Sequence, residues 1–412
     1  MLNRLATPKG LRLQIGAFGR RNVGKSSTLN ALTRQDFAIV SDVAGTTTDP
    51  IEKAIELLPI GPVLFIDAAG IDDVGALGQE RVAKTRQLFE RVDLALIVVD
   101  ITRGEDVWSD YEEALVEEMQ RRSTPILVVV NKTDAVDAPT VDAFLAFLDE
   151  RGLTGVPFSA KLDGSAKIGA PKLRAALTKL APDEFLAPPP IVADLVPPGS
   201  FVVLVTPVDK EAPKGRLILP QVQTIRDLLD ADLGCVVVKE NLLEEAIEKY
   251  KPALVVTDSQ AFKTVDAKTP SEVPLTSFSI LFARQKGDLT TMLAGARAIA
   301  QLTEDSRVLI AEACSHHPIE EDIGTVKIPR LLRKRVGEGL AIEHSHGHDF
   351  PDAASLRRFD LIIHCGGCMF NRREMLTRVD RALESGVPIT NYGLALAELN
   401  GILDRAVEPL GV

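Results

Sequence analysis

The chain has 412 residues, of which 45% are hydrophobic and 25% charged, and its net charge is -11. This is ordinary soluble, globular composition with room for two or three domains, and its acidic balance speaks against a general nucleic-acid binder, which needs a basic face for phosphates. The opening MLNRLATPKG lacks the apolar run of a signal peptide, and no stretch approaches the ~18–20 apolar residues of a membrane span, so a cytoplasmic protein without a membrane partner is expected.

The first third alternates short apolar runs with amphipathic helices. LRLQIGAFG (11–19), VLFIDAAG (63–70), LALIVVD (94–100) and PILVVVNKTD (125–134) are predicted strands. Near-continuous apolar strands separated by helices predict a mostly parallel α/β sheet. Gly19 to Ser26 fits G-x-x-x-x-G-K-S, after a strand and before the predicted helix SSTLNALTR. There the backbone of Gly19, Asn22, Val23, Gly24, Lys25, Ser26 and Ser27 is predicted to cradle phosphates at a helix N-terminus. Lys25 is expected at the β- and γ-phosphates and Ser26 on magnesium. Thr47, in Gly45-Thr46-Thr47-Thr48-Asp49, is the candidate for a second magnesium-ligating hydroxyl. Asp67 is expected on the magnesium side, and Gly70 as the sensor of the γ-phosphate.

Asn131-Lys132-Thr133-Asp134 ends a further strand. The Asp134 carboxylate can accept from guanine N1–H and N2–H₂ together, a donor pair that adenine lacks, so GTP is selected over ATP. Ser159-Ala160-Lys161 follows another short strand and suits the last guanine-contacting loop. These elements in this order predict a Ras-like P-loop GTPase domain over residues 1–184. Ile71 follows Gly70, where a Ras-like enzyme has a water-orienting Gln, so another group must assist the water.

A proline-rich stretch, APPPIVADLVPPGS (187–200), reads as a semi-rigid linker. Strands at 201–205, 235–239 and 253–257 and helices at 221–231 and 242–250 predict a small α/β middle domain over 185–275. A third α/β domain, 276–412, is predicted from a helix at 288–302 and strands at 307–313, 339–344, 360–365 and 387–390. Cys235 lies in an apolar run and reads as a buried core thiol.

Cys314-x-His316 follows one predicted strand of this last domain, and His364-Cys365-Gly366-Gly367-Cys368 follows another. Open α/β sheets place ligands beyond such strand ends. A third strand ends in His344-Ser345-His346-Gly347-His348, which lines the same pocket or a surface loop. Three cysteines with nearby histidines suit a metal, with Cys314, Cys365, Cys368, His316 and His364 as ligands or groups beside it. By chemistry alone a closed zinc site and a 4Fe–4S cluster with one open position are equally good readings. A dithiol pair at Cys365 and Cys368 is a further alternative. Glu320 and Glu321 lie on the Cys314 loop and offer a carboxylate.

Two resemblances narrow these choices. Asn22-Val23-Gly24-Lys25-Ser26 and Gly45-Thr46-Thr47 resemble the TrmE–Era–Der group of GTPases. That resemblance implies a potassium ion held by Asn22 and the loop Ser41-Asp42-Val43-Ala44, supplying charge where an arginine finger would otherwise sit. Cys314-x-His316 followed by His364-Cys365-x-x-Cys368, downstream of such a GTPase, resembles the HydF family of FeFe-hydrogenase maturation GTPases. The run LFARQKGD (281–288) is similar to that family as well. The resemblance implies a 4Fe–4S cluster on Cys314, Cys365 and Cys368 and a homodimer formed through the middle domain. It also implies a transient di-iron precursor, made by two radical-SAM maturases and delivered to apo FeFe-hydrogenase. The alternative is an RNA- or ribosome-maturation GTPase with a structural zinc domain, against which the acidic balance counts.

Overall fold

The computed structural model describes residues 7–33, 51–67, 88–162, 169–186, 189–207, 217–313, 322–347, 349–367 and 370–412. The chain divides into two compact units, residues 1–188 and 189–412. Among the described residues, no helix is long and apolar enough to cross a membrane.

The first unit is built on strands β1 (Leu13–Phe18), β2 (Ile51–Leu57), β3 (Gly61–Asp67), β4 (Leu94–Asp100), β5 (Ile126–Asn131) and β6 (Thr154–Pro157). They form a sheet in the order β2-β3-β1-β4-β5-β6, parallel except where β2 pairs with β3. Strand β2 lies outside the predicted runs. Its pattern is that of a half-exposed edge strand, with charges between its apolar residues. Helices α1 (Lys25–Thr33), α2 (Asp110–Arg121), α3 (Ala138–Asp149) and α4 (Ala170–Leu180) supply the packing layers. Alternation along the strands splits the core in two. Leu13, Ile15, Leu127 and Val129 pack with Leu29, Leu32, Leu173 and Leu177. Ile66, Ile97, Val128 and Val130 pack with Val116, Met119 and Leu148. Strand order reverses at β1, between β3 and β4, so the carboxyl ends of these strands border the crevice where such sheets bind ligands.

The second unit carries two further parallel sheets. The first, in the order β10-β9-β7-β8, contains β7 (Phe201–Val205), β8 (Gly234–Val238), β9 (Leu254–Thr257) and β10 (Leu275–Ser277). Between its strands run α5 (Leu219–Asp230), α6 (Leu243–Tyr250) and α7 (Phe262–Lys268). Residues 276 and 277 pair with Val256 and Thr257, so this sheet runs past the boundary expected at 275. The stretch read as a linker is part of this unit from residue 189. Ile191 and Val192 are buried between its proline runs, and the N–H groups of Val192 and Ala193 donate to Asp227 Oδ2 at 2.8 and 2.9 Å.

The second sheet, in the order β12-β11-β13-β14, follows helices α8 (Phe278–Lys286) and α9 (Leu289–Arg297). It comprises β11 (Arg307–Glu312), β12 (Ala341–His346), β13 (Leu361–His364) and β14 (Ile389–Asn391), with α10 (Ile328–Val336), α11 (Arg372–Ser385) and α12 (Tyr392–Leu399). Helix α9 stops short of the predicted 288–302, and a 3-10 turn, Ala298–Gln301, completes that segment. Strand β12 runs on to His346, which pairs with Glu312, so His344 and His346 stand on an edge strand rather than in a loop.

Candidate functional site

The phosphate loop joins β1 to α1, and its conformation explains its residues. Gly19 has φ +135°, and a Cβ there would meet the Val98 carbonyl at 2.2 Å. Gly24 has φ +98°, and a Cβ there would lie 2.3 Å from Asn131 Nδ2. Both positions therefore need glycine. Lys25 is buried, and its ammonium donates to the carbonyls of Gly19 and Arg20, the latter at 3.0 Å. Asn22, with φ 64°, and Ser27 are exposed, whereas Val23 is buried beneath the loop.

The donor set fits magnesium. Ser26 Oγ donates to Asp67 Oδ2 at 2.6 Å. Asp67 is 1% exposed, and its Oδ1 has no hydrogen-bond partner among the described residues. A buried carboxylate oxygen left unpaired is costly, and a hard dication beside Ser26 would satisfy it. Thr47 and Gly70, expected to complete this corner, lie outside the described residues, as do the candidate potassium loop 41–44 and Ile71.

The residues expected to recognise the base stand at the ends of β5 and β6. Asn131 is 1% exposed; its Nδ2 donates to the Val23 carbonyl at 2.7 Å, and its Oδ1 accepts from the Ala160 N–H at 3.0 Å. One side chain thereby ties the phosphate loop to the segments after β5 and β6. Ser159 Oγ donates to Asp134 Oδ1 at 2.6 Å and fixes that carboxylate. Lys132 Nζ lies 2.5 Å from Asp100 Oδ2. Burial alone would raise Asp100, but the bonds from Lys132 and Thr102 outweigh it and hold its carboxyl below the usual range. Lys161 is exposed.

Sequence reasoning misses one brace. Arg20 pairs with the buried Glu112, Nε to Oε1 at 2.9 Å and Nη2 to Oε2 at 2.5 Å, and donates to Ser109 Oγ at 2.5 Å. Ser109 and Glu112 also form the capping box of α2, so the helix start and the phosphate loop are held by the same groups.

In the second unit, β11 and β13 are neighbours, with Ala311 opposite His364. Cys365 N–H donates to the Ala311 carbonyl at 2.8 Å, and Ala313 N–H donates to Cys365 Sγ at 3.1 Å. A sulfur that accepts a backbone N–H suits a metal-bound thiolate. Gly367 has φ +59°, and a Cβ there would meet Met375 Cε at 2.2 Å, so the turn before Cys368 needs glycine. Cys314, His316, Glu320, Glu321, His348 and Cys368 lie outside the described residues. Among the described residues, no three metal-type side chains come together.

His364 is fully buried, and both ring nitrogens are engaged: Nδ1 with the Cys365 carbonyl at 2.7 Å, Nε2 with Arg378 Nη1 at 2.9 Å. Burial, then the guanidinium of Arg378, push its pKa down to about 3, so the imidazole is neutral. It donates through Nδ1 and accepts through Nε2. This arrangement favours the second of its two expected roles, a group beside the centre, over direct ligation. Glu312, also buried, accepts from Tyr392 Oη at 2.9 Å and lies 3.1 Å from His346 Nδ1. Cys235 is half-buried rather than buried, packs against the middle-sheet core, and has its thiol pKa raised by burial.

Comparisons with known proteins follow the same division. A family model described as the 50S ribosome-binding GTPase matches residues 14–132. The hydrogen maturase F dimerization domain matches residues 191–287, and the hydrogen maturase F tetramerization domain matches residues 290–409. The tRNA modification GTPase MnmE of Synechococcus sp. strain RCC307 is 38% identical over 154 residues, covering 36% of this chain and 32% of that protein. GTPase Der of Wolinella succinogenes is 39% identical over 125 residues, covering 30% of this chain and 26% of that protein. The chain thus spans about a third or less of the length of these curated relatives. Among solved structures, Era of Aquifex aeolicus bound to GDP and aluminium fluoride is similar at 22% identity and a TM-score of 0.33, covering 57% of this chain and 97% of that one.

Proposed function

The chain belongs to the hydrogen maturase F family, two of whose domain models together span more than half of it, and from that premise we propose that it is a GTP-hydrolysing iron–sulfur scaffold in hydrogenase maturation. In this reading it receives a di-iron precursor from two radical-SAM maturases and delivers it to apo FeFe-hydrogenase. The precursor is cargo; the resident group is a 4Fe–4S cluster on Cys314, Cys365 and Cys368. When bound, that cluster supplies one-electron chemistry and an iron position open to an exchangeable ligand. His316, Glu320, Glu321 or an exogenous group fills that position.

The observation that carries this reading is the 3.1 Å bond from Ala313 N–H to Cys365 Sγ. The residue just before Cys314 touches the sulfur of Cys365 although 52 positions separate them. Purified chain, loaded with precursor, should activate apo-hydrogenase to evolve hydrogen, and the yield should differ between GTP- and GDP-bound states. Equal transfer with GTP, GDP and no nucleotide would remove the proposed coupling.

At the nucleotide, Lys25 neutralises phosphate charge, while Ser26, Thr47 and Asp67 surround magnesium. We assign the role left open by Ile71 to a potassium ion at Asn22 and residues 41–44. Turnover should therefore be several-fold faster in potassium than in sodium at equal ionic strength. Equal rates would refute the assignment.

Self-association follows from the dimerization region. Strand β8 is an edge of its sheet, and Phe201, Val222, Leu229, Val237 and Leu242 are exposed around that region. Among the described residues, an edge strand and exposed apolar side chains favour pairing with a second copy. Val237→Lys should shift the chain toward monomer in sedimentation velocity, and an undisturbed oligomer would show that β8 is not the contact.

A further inference from the structure

The run Leu281–Asp288 distributes its residues over separate duties. Leu281, Phe282 and Ala283 are core. Arg284 Nη1 donates to Asp194 Oδ1 at 3.0 Å and so fastens the segment that enters the second unit. Gln285 gives its carbonyl to Arg372 Nη1 at 2.6 Å, and Asp288 caps α9. Lys286 lies over the Phe282 ring, 5.7 Å from its centroid. It ends α8, is 5% exposed, and sends its ammonium to the Phe370 carbonyl at 3.0 Å and the Gly367 carbonyl at 3.4 Å.

Those two carbonyls bracket residues 368 and 369, so one cation holds both ends of the short segment that carries Cys368. A lysine on a helix end ordinarily turns its amine outward, because burying an ammonium is costly. Methionine would fill a similar space without that cost.

A second buried cation approaches from another helix. Arg378, on α11, is 3% exposed and lies between the rings of Phe350 and Phe370, 4.8 and 4.3 Å from their centroids. Its Nη1 reaches His364 Nε2, and its Nη2 donates to the Gly347 carbonyl. Burial lowers it to about 10, which leaves it charged at neutral pH. The two cations thus hold the Gly367 and Phe370 carbonyls, the histidine preceding Cys365 and the residue after β12.

We propose that Lys286 is a positioning residue that, by holding the Gly367 and Phe370 carbonyls while Arg378 holds His364, sets buried positive charge against an anionic iron–thiolate cluster. The inference rests on the iron–sulfur reading given above. Three thiolates give such a cluster net negative charge, and one-electron reduction adds another. A fixed cation beside it favours the reduced form. Dithionite supplies the electron in the test.

The test uses the full chain, reconstituted anaerobically with ferrous iron and sulfide, and follows the midpoint potential by electron paramagnetic resonance. Lys286→Met should lower the potential by at least about 59 mV, a tenfold shift toward the oxidised form at fixed poise. Lys286→Arg keeps the charge and should restore most of that shift. Circular dichroism reports folding, and if Lys286→Met does not fold, Lys286→Gln carries the same comparison with a neutral, polar amide. Neutral variants with wild-type iron content, potential and spectrum would overturn the inference while leaving the iron–sulfur reading intact. A wild-type chain that takes up no iron would overturn that reading, and the inference with it.

Discussion

Replacing Asp134 by Asn should cut GTP affinity by about 10³-fold and hand the site to xanthosine triphosphate. In the proposed role the carboxylate accepts from two guanine donors, and each charge-assisted hydrogen bond contributes roughly 2 kcal/mol. With ~1.4 kcal/mol per tenfold in affinity, losing both gives about three orders of magnitude. The amide also turns a donor toward the guanine 2-amino group, which adds a clash of like partners. Xanthine carries a carbonyl there and accepts from that amide. Ser159 fixes the side chain through a bond of 2.6 Å to Oδ1, so the substituted amide inherits a held orientation. Nucleotide binding measured by calorimetry decides the matter. A variant that binds GTP as the wild type does would remove Asp134 from base recognition.

Replacing Cys365 by Ser should lower iron retention by more than the ~10–100-fold typical of changes outside the ligand shell. Cys314→Ser and Cys368→Ser should behave alike, because a centre built on three thiolates loses a ligand in each case. Cys235→Ser is the control. That cysteine packs against the core of the other sheet of the second unit, so its replacement should leave iron unchanged. If Cys314→Ser kept full iron, the pair Cys365–Cys368 would act alone, and a redox dithiol would become the better reading.

How much the residues reveal by themselves depends on how local the signal is. Gly19 to Ser26 and Asn131 to Asp134 are contiguous motifs, and each stands at the end of a strand in the predicted order. The link through Asn131 is invisible in the sequence, because it joins β5 to loops 108 positions before it and 29 after it. The brace from Arg20 to Glu112 spans 92 positions and has no sequence signature. Proline density suggests a linker at 187–200, but Ile191, Val192 and Val196 carry enough apolar surface to join a core. The sequence places the end of β12 at His344, since Ser345 and His346 look like loop residues. On an edge strand the alternation simply exposes the two imidazoles and buries Ser345.

The cysteine motif is legible as chemistry but not as geometry. The sequence offers His364 equally as a ligand or as a neighbour. The choice turns on Arg378, fourteen positions away on a helix, which occupies the remaining ring nitrogen. Lys286 stands out in the sequence only as part of a run similar to the family's. Its approach to the Gly367 and Phe370 carbonyls, more than 80 positions away, arises from the packing of α8 beside the turn.

Iron and acid-labile sulfide, counted in wild-type protein purified without oxygen, test the account most directly. About four of each per chain, in a brown protein that gives a paramagnetic signal on reduction, is the predicted result. A colourless protein holding about one zinc and no sulfide would contradict it.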